Sequence, residues 1–392
     1  MRSLTWSEVF GRRLERHFLD AAAAPERLVE VVGAVCGIHA QLMPSAELSI
    51  GLRVAGVTRR EVREQLWERR SLVKTVGMRG TLHLFPTGEL PLWLAALRAS
   101  PSPNRDRDLK IMGIDAARMD TMVAAIGEAL DGRRLARDQL GDEVVRRVGS
   151  WAAAATFPAF GGMWPRWRLA ISAATAAGVI CFGPSQGNRV TFVRLDQWAG
   201  AAAAAEVDGA GALAEVLRRY LRAYGPATHL EFAQWFNMPP AAAGELLRSL
   251  GGELEEVDVE GRRAWLPAAE AAAPWRPARG SLRLLPHFDC YAVGCHPRDR
   301  LIPLPAQAAA VARGLRRADL ARPVPALLLD GTVAGVWERR RSGRRLELRV
   351  EPYQPLGARQ RRQLEAQAAR VGEILEASAT LALGTVDARP HL

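Results

Sequence analysis

The chain has 392 residues, roughly two to four domains' worth, with ample apolar content to bury. No run of about 20 apolar residues is free of charge, and Met1 to Phe10 carries Glu8 and lacks the basic-then-apolar order of a signal peptide, so a soluble cytoplasmic protein is expected. A net charge of +11, from 53 basic against 42 acidic residues, favours a polyanionic partner, with nucleic acid ahead of membrane because no basic amphipathic helix flanks a terminus.

The four cysteines, Cys36, Cys181, Cys290 and Cys295, are scattered among apolar neighbours and suit reduced thiols better than a disulfide framework. In chain order, residues 6–20 predict a first helix and 26–37 a second. Leu28, Val31, Val32, Val35 and Cys36 recur at helical spacing up to Gly37. There the pattern stops and leaves His39 and Gln41 with one small residue between them. A continued helix would turn these side chains roughly 200° apart. Unwinding at Gly37 into an extended His39-Ala40-Gln41 puts both on one side of the backbone. Ser45 then caps a short helix reaching Leu52, and Thr58 caps another. Residues 72–76 and 81–85, about the Gly77 to Gly80 turn, predict a β-hairpin.

The order of helices followed by a hairpin recurs at 118–149 and 164–178 with strands 179–182 and 189–193. It recurs again at 213–250 with strands 254–257 and 263–266. Three such units read as tandem winged helices, which suits the basic charge. After a Pro/Ala-rich linker at 267–279, runs at 282–285, 325–329, 333–337 and 346–350 predict a small β-barrel domain, followed by a helix at 357–377. The expected fold is therefore mainly α with β (α+β). It comprises winged helices at 1–115, 116–208 and 209–279 (the last with the linker), and a C-terminal β-barrel at 280–392. Arg339, Arg340, Arg341, Arg344 and Arg345 gather about a Ser342-Gly343 turn, a hairpin tip with the size and charge to enter a minor groove, or else a solvated basic turn.

Standard catalytic signatures are missing: there is no G-x-S-x-G, Walker loop, H-E-x-x-H or strand-to-helix G-x-G-x-x-G. His287, Cys290, Cys295 and His296 loosely imitate a zinc site, but the adjacent Cys-His pair is awkward for tetrahedral ligation, and core thiols are favoured over a metal. No cofactor is expected.

Three stretches together resemble the AlkZ/YcaQ family of bacterial DNA glycosylases. They are Φ-x-x-x-His-Ala-Gln-x-x-Pro-Ser-Ala around His39 and Gln41, Arg-Gly-Thr-Leu-His-Leu-Phe at 79–85, and Leu-Leu-Pro-x-Phe-Asp at 284–289. They keep the family's order and span most of the chain. The resemblance implies three tandem winged helices and a C-terminal barrel around duplex DNA. It also implies hydrolysis of the N-glycosidic bond of bulky N7-alkylguanines, including interstrand crosslinks made by genotoxic natural products, hence DNA repair and self-resistance. The family's catalytic motif is Gln-x-Gln or Gln-x-Asp, and His39 and Gln41 fill its two positions here. The histidine departs from that pattern, so it either orients water or accepts its proton, while Gln41 can only position.

The expected partner is double-stranded DNA carrying a bulky alkyl lesion, bound by a monomer without membrane or metal. On the first hairpin, alternation places Arg79, Thr81 and His83 on one face, either as DNA contacts or as ordinary wing-strand residues. Lys74 and Lys110 are the sole lysines and lie in no motif, which argues for a monofunctional glycosylase with water as nucleophile rather than a Schiff-base lyase. Asp289 is expected to anchor the barrel to the wings and is assigned no chemistry. The competing reading is a non-enzymatic winged-helix regulator or drug-sequestering protein, which would not need His39 and Gln41.

Overall fold

The computed structural model describes residues 1–101, 113–159, 162–200, 205–312 and 324–386. A short strand, β1 (Arg2–Leu4), precedes helix α1 (Trp6–Arg16). Thr5 and Glu8 close a capping box at its start, and Val9, Phe10 and Leu14 form its buried stripe. The sequence pattern carried this helix to residue 20, but it stops at Arg16 and the chain turns at Phe18, whose φ is 54°. The second helix is likewise shorter than its apolar pattern: a 3₁₀ turn at Pro25–Arg27 leads into α2 (Leu28–Ala34). The extended pair β2 (Ile38–His39) follows, then α3 (Met43–Gly51). Leu42, not Ser45, is the N-cap of α3, because Pro44 has its φ preset for the first turn and lacks only an N–H the helix would not use.

The hairpin of β3 (Leu72–Val76) and β4 (Leu82–Pro86) lies where the sequence put it. Downstream come β5 (Leu135–Ala136), β6 (Ala155–Ala159), β7 (Gly162–Pro165), β8 (Ile180–Gln186) and β9 (Arg189–Arg194). The third hairpin is β10 (Leu254–Val259) with β11 (Arg262–Pro267). The C-terminal strands are β12 (Leu282–Leu285), β13 (Ala326–Leu329), β14 (Thr332–Ser342), β15 (Arg345–Pro352) and β16 (Ser378–Leu383), with the helix Ala358–Ile374 before the last.

The chain divides into two compact units. Unit 1 comprises Met1–Arg63, Leu217–Trp235 and Gly244–Leu392; unit 2 comprises Glu64–Val216 and Phe236–Ala243. In unit 1, β1 runs parallel to β10, with Arg2 opposite Val257 and Leu4 opposite Val259, in a three-stranded sheet β1-β10-β11. A three-residue segment carries no periodic signal, so β1 is visible only through its pairing.

The other sheet of unit 1 has the order β12-β13-β14-β15-β16, antiparallel except for the last pair. It is an open half-barrel rather than the closed barrel expected. Helices pack on one face of it. Leu364, Val371 and Ile374 from the long C-terminal helix and Leu48 and Leu52 from the α3 region share one core with Trp337, Leu346 and Leu348. At Gly51 a Cβ would come within 2.7 Å of Ile374, so a side chain there would force the two helices apart. Each fully buried leucine contributes roughly 1.5–3 kcal/mol, and this shared core locks the helix after the His-x-Gln stretch to the sheet.

Unit 2 contributes five strands ordered β4-β3-β8-β9-β5. Met122, Ile126, Leu140, Val144 and Trp167 from its helices pack on Phe182 and Phe192 of the sheet. Lys74, opposite Phe182 in the β3–β8 pairing, lays its ammonium 5.6 Å from that ring, while Lys110 lies outside the described residues. Among the described residues, no helix is long and apolar enough to cross a membrane.

Candidate active site

The His-x-Gln stretch is shaped by two consecutive left-handed residues, Cys36 at φ 63° and Gly37 at φ 88°. α2 ends at Ala34 and the Gly37 N–H donates to the Val32 carbonyl at 2.9 Å, a closure that takes the chain out of helical direction. Buried Tyr224 donates its hydroxyl to the Val35 carbonyl at 2.9 Å, fixing the start of the turn. The backbone then runs extended through His39, as the unwinding at Gly37 requires. The departure from helix begins before the glycine: Val35 caps α2, and Cys36, one residue before Gly37, already adopts a positive φ.

The environments of the two polar side chains differ. His39 is buried at 6% exposure, and its imidazole stacks on the ring of Phe288 with centroids 5.1 Å apart and planes 15° from parallel. Gln41 is exposed. An imidazole held by an aromatic plate beside a solvent-facing amide can present a fixed edge to a water while the amide helps place it.

Phe288 belongs to Leu284-Leu285-Pro286-His287-Phe288-Asp289, and what holds it is the most buried charge pair in unit 1. Asp289 and Arg53 have side-chain exposures of 0% and 0% and meet in a two-pronged salt bridge, Nη2 to Oδ1 at 2.7 Å and Nη1 to Oδ2 at 2.8 Å. Ser49 Oγ donates to the same carboxylate at 2.7 Å, and the Tyr291 N–H donates at 3.0 Å, so Asp289 also caps the short helix Cys290–Gly294. Burial alone would raise the Asp289 carboxyl, but the charge and hydrogen bonds of Arg53 outweigh it and hold the group below its ordinary 3.8. Burial alone would lower Arg53, and the Asp289 charge more than compensates. Asp289 therefore anchors the C-terminal segment to α3 and the residues just after it. That anchoring role was legible in the sequence, whereas the partner Arg53 was not, because nothing local distinguishes a buried arginine in a chain rich in arginine.

His17 lies against this pair, edge-on to Tyr224 and Tyr291 at 4.8 and 5.2 Å, with its Nδ1 3.8 Å from Cys290 Sγ. Burial, and next the positive charge of Arg53, push its pKa down to about 3 from 6.5. Among the described residues, no group of three or more His, Cys, Asp or Glu side chains is arranged to hold a metal ion. Cys290 and Cys295 are buried thiols, both raised by burial, the latter to about 11.

A second buried charge sits on α3. Glu47, with its side chain at 0% exposure, receives Arg63 Nε at 2.6 Å and has Arg59 Nε 3.6 Å away. Arg339 on β14 is largely buried and feels this carboxylate together with Arg341 and Arg59; burial lowers its pKa. The five arginines of the C-terminal hairpin are therefore not equivalent. β14 runs straight through Ser342, which pairs with Arg345, and only Gly343 (φ 58°) and Arg344 form the turn. Alternation puts Arg339 and Arg341 on the face of buried Trp337 and Arg340 on the other. Arg341 is tied to the Leu375 carbonyl at 3.1 Å and the Gly343 carbonyl at 2.9 Å. Arg340, Arg341, Arg344 and Arg345 are all exposed, and Arg340 lies 3.8 Å from Glu338.

In unit 2, Arg79 lies in a 3₁₀ turn at Met78–Gly80 with φ 59°, so strand alternation does not reach it and the shared face with Thr81 and His83 does not follow. Thr81 donates to the Met78 carbonyl at 2.9 Å. His83 is buried at 3% exposure, its ring stacked on Phe85 at 5.6 Å and its Nδ1 2.9 Å from the Thr81 carbonyl.

The polar His39-Ala40-Gln41 stretch thus lies between α2 and α3 in the unit that carries the half-barrel sheet, and its relatives among known proteins give its class, a DNA glycosylase of the AlkZ type. The family described as "DNA glycosylase AlkZ-like" matches residues 32–374, and the chain belongs to it. It is similar to the "Interstrand DNA cross-link repair glycosylase" of Streptomyces sahachiroi, 33% identical over 343 residues, which covers 85% of this chain and 88% of that protein. It is also similar to the solved structure of Streptomyces sahachiroi DNA glycosylase AlkZ, with a TM-score of 0.80 at 30% identity over 98% of this chain and 100% of that one. The protein is a DNA glycosylase acting in DNA repair.

Proposed function

We propose that this glycosylase hydrolyses the N-glycosidic bond of bulky N7-alkylguanine adducts, interstrand crosslinks among them, formed in duplex DNA by a genotoxic natural product, and so serves self-resistance. The observation that carries the reading is the His39-Ala40-Gln41 stretch, turned out of α2 by Cys36 and Gly37 and bolted through α3 to the C-terminal sheet. Alkylation at N7 makes guanine cationic and already a good leaving group, so the enzyme has little need of a general acid. What remains is to hold a water below the anomeric carbon and to steady the oxocarbenium ion. Gln41 positions that water, and His39 orients it or takes its proton.

The helix-and-hairpin repeats support three winged helices at 1–115, 116–208 and 209–279 ahead of the C-terminal domain at 280–392, acting as a monomer in the cytoplasm and drawn to the nucleoid through DNA. Among the exposed arginines, Arg340, Arg344 and Arg345 are the ones best placed to track a minor groove, since Arg341, though exposed, is tied to the Leu375 carbonyl and Arg339 is partly buried. Bulky adducts leave little room for a tight base pocket, which favours a lesion kept largely within the duplex over full flipping.

Incubation with duplex carrying a defined N7 adduct tests the reading: modified base should be released, leaving an alkali-labile abasic site. Absence of release across a panel of N7 adducts, or full activity in the His39→Ala, Gln41→Ala double variant, would overturn it.

A further inference from the structure

The backbone of Phe288 is in the left-handed region, with φ 59°, a conformation that residues bearing a Cβ rarely adopt. Its neighbours enforce it. On one side, β12 is fixed to β13 with Leu285 opposite Ala326, and the Leu285 carbonyl accepts Trp337 Nε1 at 2.8 Å. On the other, Asp289 is held by four hydrogen bonds from Arg53, Ser49 and the Tyr291 N–H. Between these fixed points the ring is delivered flat against His39.

The same device grips His39 from the other direction, because Ser49 lies on α3, and α3 and Arg53 follow directly on the His-x-Gln stretch. The stacked pair is thus assembled by one buried salt bridge from two segments some 250 residues apart, as the 236-residue separation of Arg53 and Asp289 reflects. A strained aromatic with nothing to position would be replaced at no loss by glycine or asparagine, which take this conformation more readily.

We propose that Phe288 is a positioning residue for the hydrolytic step, whose ring fixes the plane of the His39 imidazole and covers one of its faces, so that the ring edge alone is offered to the attacking water. This rests on the reading of His39 as a catalytic residue. The ring acts through His39, so its loss should slow the chemical step without weakening binding.

The test uses the full-length enzyme under single-turnover conditions on duplex with a released N7 adduct, with the Kd for undamaged duplex measured alongside. Phe288→Asn keeps a residue that accepts the left-handed backbone and removes the ring, and Phe288→Leu keeps apolar bulk without an aromatic face. Both should lower the rate by about 10- to 100-fold with Kd unchanged within about twofold, and Phe288→Tyr should restore it. Carbon-13 signals of labelled histidine rings, assigned to His39 by difference with His39→Ala, supply a readout that does not depend on turnover, since the Phe288 ring current must vanish in the asparagine and leucine variants.

Wild-type rates in both variants while His39→Ala is inert would overturn the role of Phe288 and leave His39 catalytic. An unmoved His39 signal would overturn it as well. Wild-type turnover by His39→Ala would instead remove the reading on which the proposal stands.

Discussion

Arginine does opposite work in two regions of unit 1. Arg53 is fully buried, and every hydrogen bond it makes is fixed in place, to both oxygens of Asp289 and to the Ser49 carbonyl at 2.9 Å. At the turn between β14 and β15, Arg340, Arg344 and Arg345 stand in solvent, Arg340 with its guanidinium 3.8 Å from Glu338. The buried arginine organises a site, at a desolvation cost that its partner must offset. The exposed ones add almost nothing to stability and keep their charge available for a polyanion. The +11 balance of the chain is therefore not one feature. Part of it is internal scaffolding, and only the remainder is exposed to a polyanion.

The sharpest way to break this contrast is Asp289→Ala, which strands the Arg53 charge and uncaps Cys290–Gly294. It should cost about 3–5 kcal/mol in chemical denaturation, against less than about 0.5 kcal/mol for Arg344→Ala. Equal losses would mean that the buried pair is not the anchor.

Next in size, the chemistry should depend on the stretch that the anchor holds rather than on the hairpin. His39→Ala is expected to reduce single-turnover base release by about 10²–10³-fold, roughly 2.7–4 kcal/mol of barrier, and Gln41→Ala by about 10²-fold. Folding should be intact in both, checked by the thermal midpoint.

A third expectation follows from His17, which sits among Arg53, Arg13 and Asp289 and is pushed down to about 3. The unfolded chain takes up a proton near 6.5 that the folded protein refuses, so stability is full above that pH and is lost as pH falls from 6.5 toward 3. The slope is about 1.4 kcal/mol per pH unit, roughly 2 kcal/mol between pH 6.5 and 5. Denaturation curves of His17→Gln over that range should be flatter by this amount, and an unchanged slope would assign the acid sensitivity elsewhere.

The smallest effect per residue belongs to the hairpin. Arg340→Ala, Arg344→Ala and Arg345→Ala together should reduce the slope of log K against log salt by about 2.7 and weaken duplex binding by tenfold or more near physiological salt, with the melting midpoint unmoved. If Arg341→Ala alone gave the same loss without destabilising the protein, its tie to Leu375 would not be structural.

The three predicted hairpins, the first four strands of the C-terminal sheet and the break in helical pattern before His39 were readable, because each is written in residues adjacent along the chain: period-two apolar runs, Gly-containing turns and a helix stop; β6, β7 and the last strand, β16, were not foreseen. The lengths of α1 and α2 were not, since their apolar patterns continue past the ends and only the left-handed turns at Phe18 and Cys36 stop the helices. The expectation for Arg79 failed for a similar reason, as a residue at positive φ in a 3₁₀ turn does not obey strand alternation. In the hairpin, residue type identified the basic cluster, but only the register of β14 with β15 separates Arg340 from Arg339 and Arg341.

The amino-acid sequence alone established the family, the three predicted hairpins and the position of the His-x-Gln pair, because motifs and periodicities are local and survive reading one residue after another, whereas β1, β5 to β7 and β16 emerge only from pairing. Tertiary structure alone decided that Phe288 lies on His39, that Arg53 answers Asp289, and that Leu48 and Leu52 of the α3 region complete an open sheet in place of a closed barrel. Those outcomes depend on burial and on partners more than 200 residues away, and the worth of a charge or a ring is set by the dielectric and the neighbours it meets there, which no local pattern encodes.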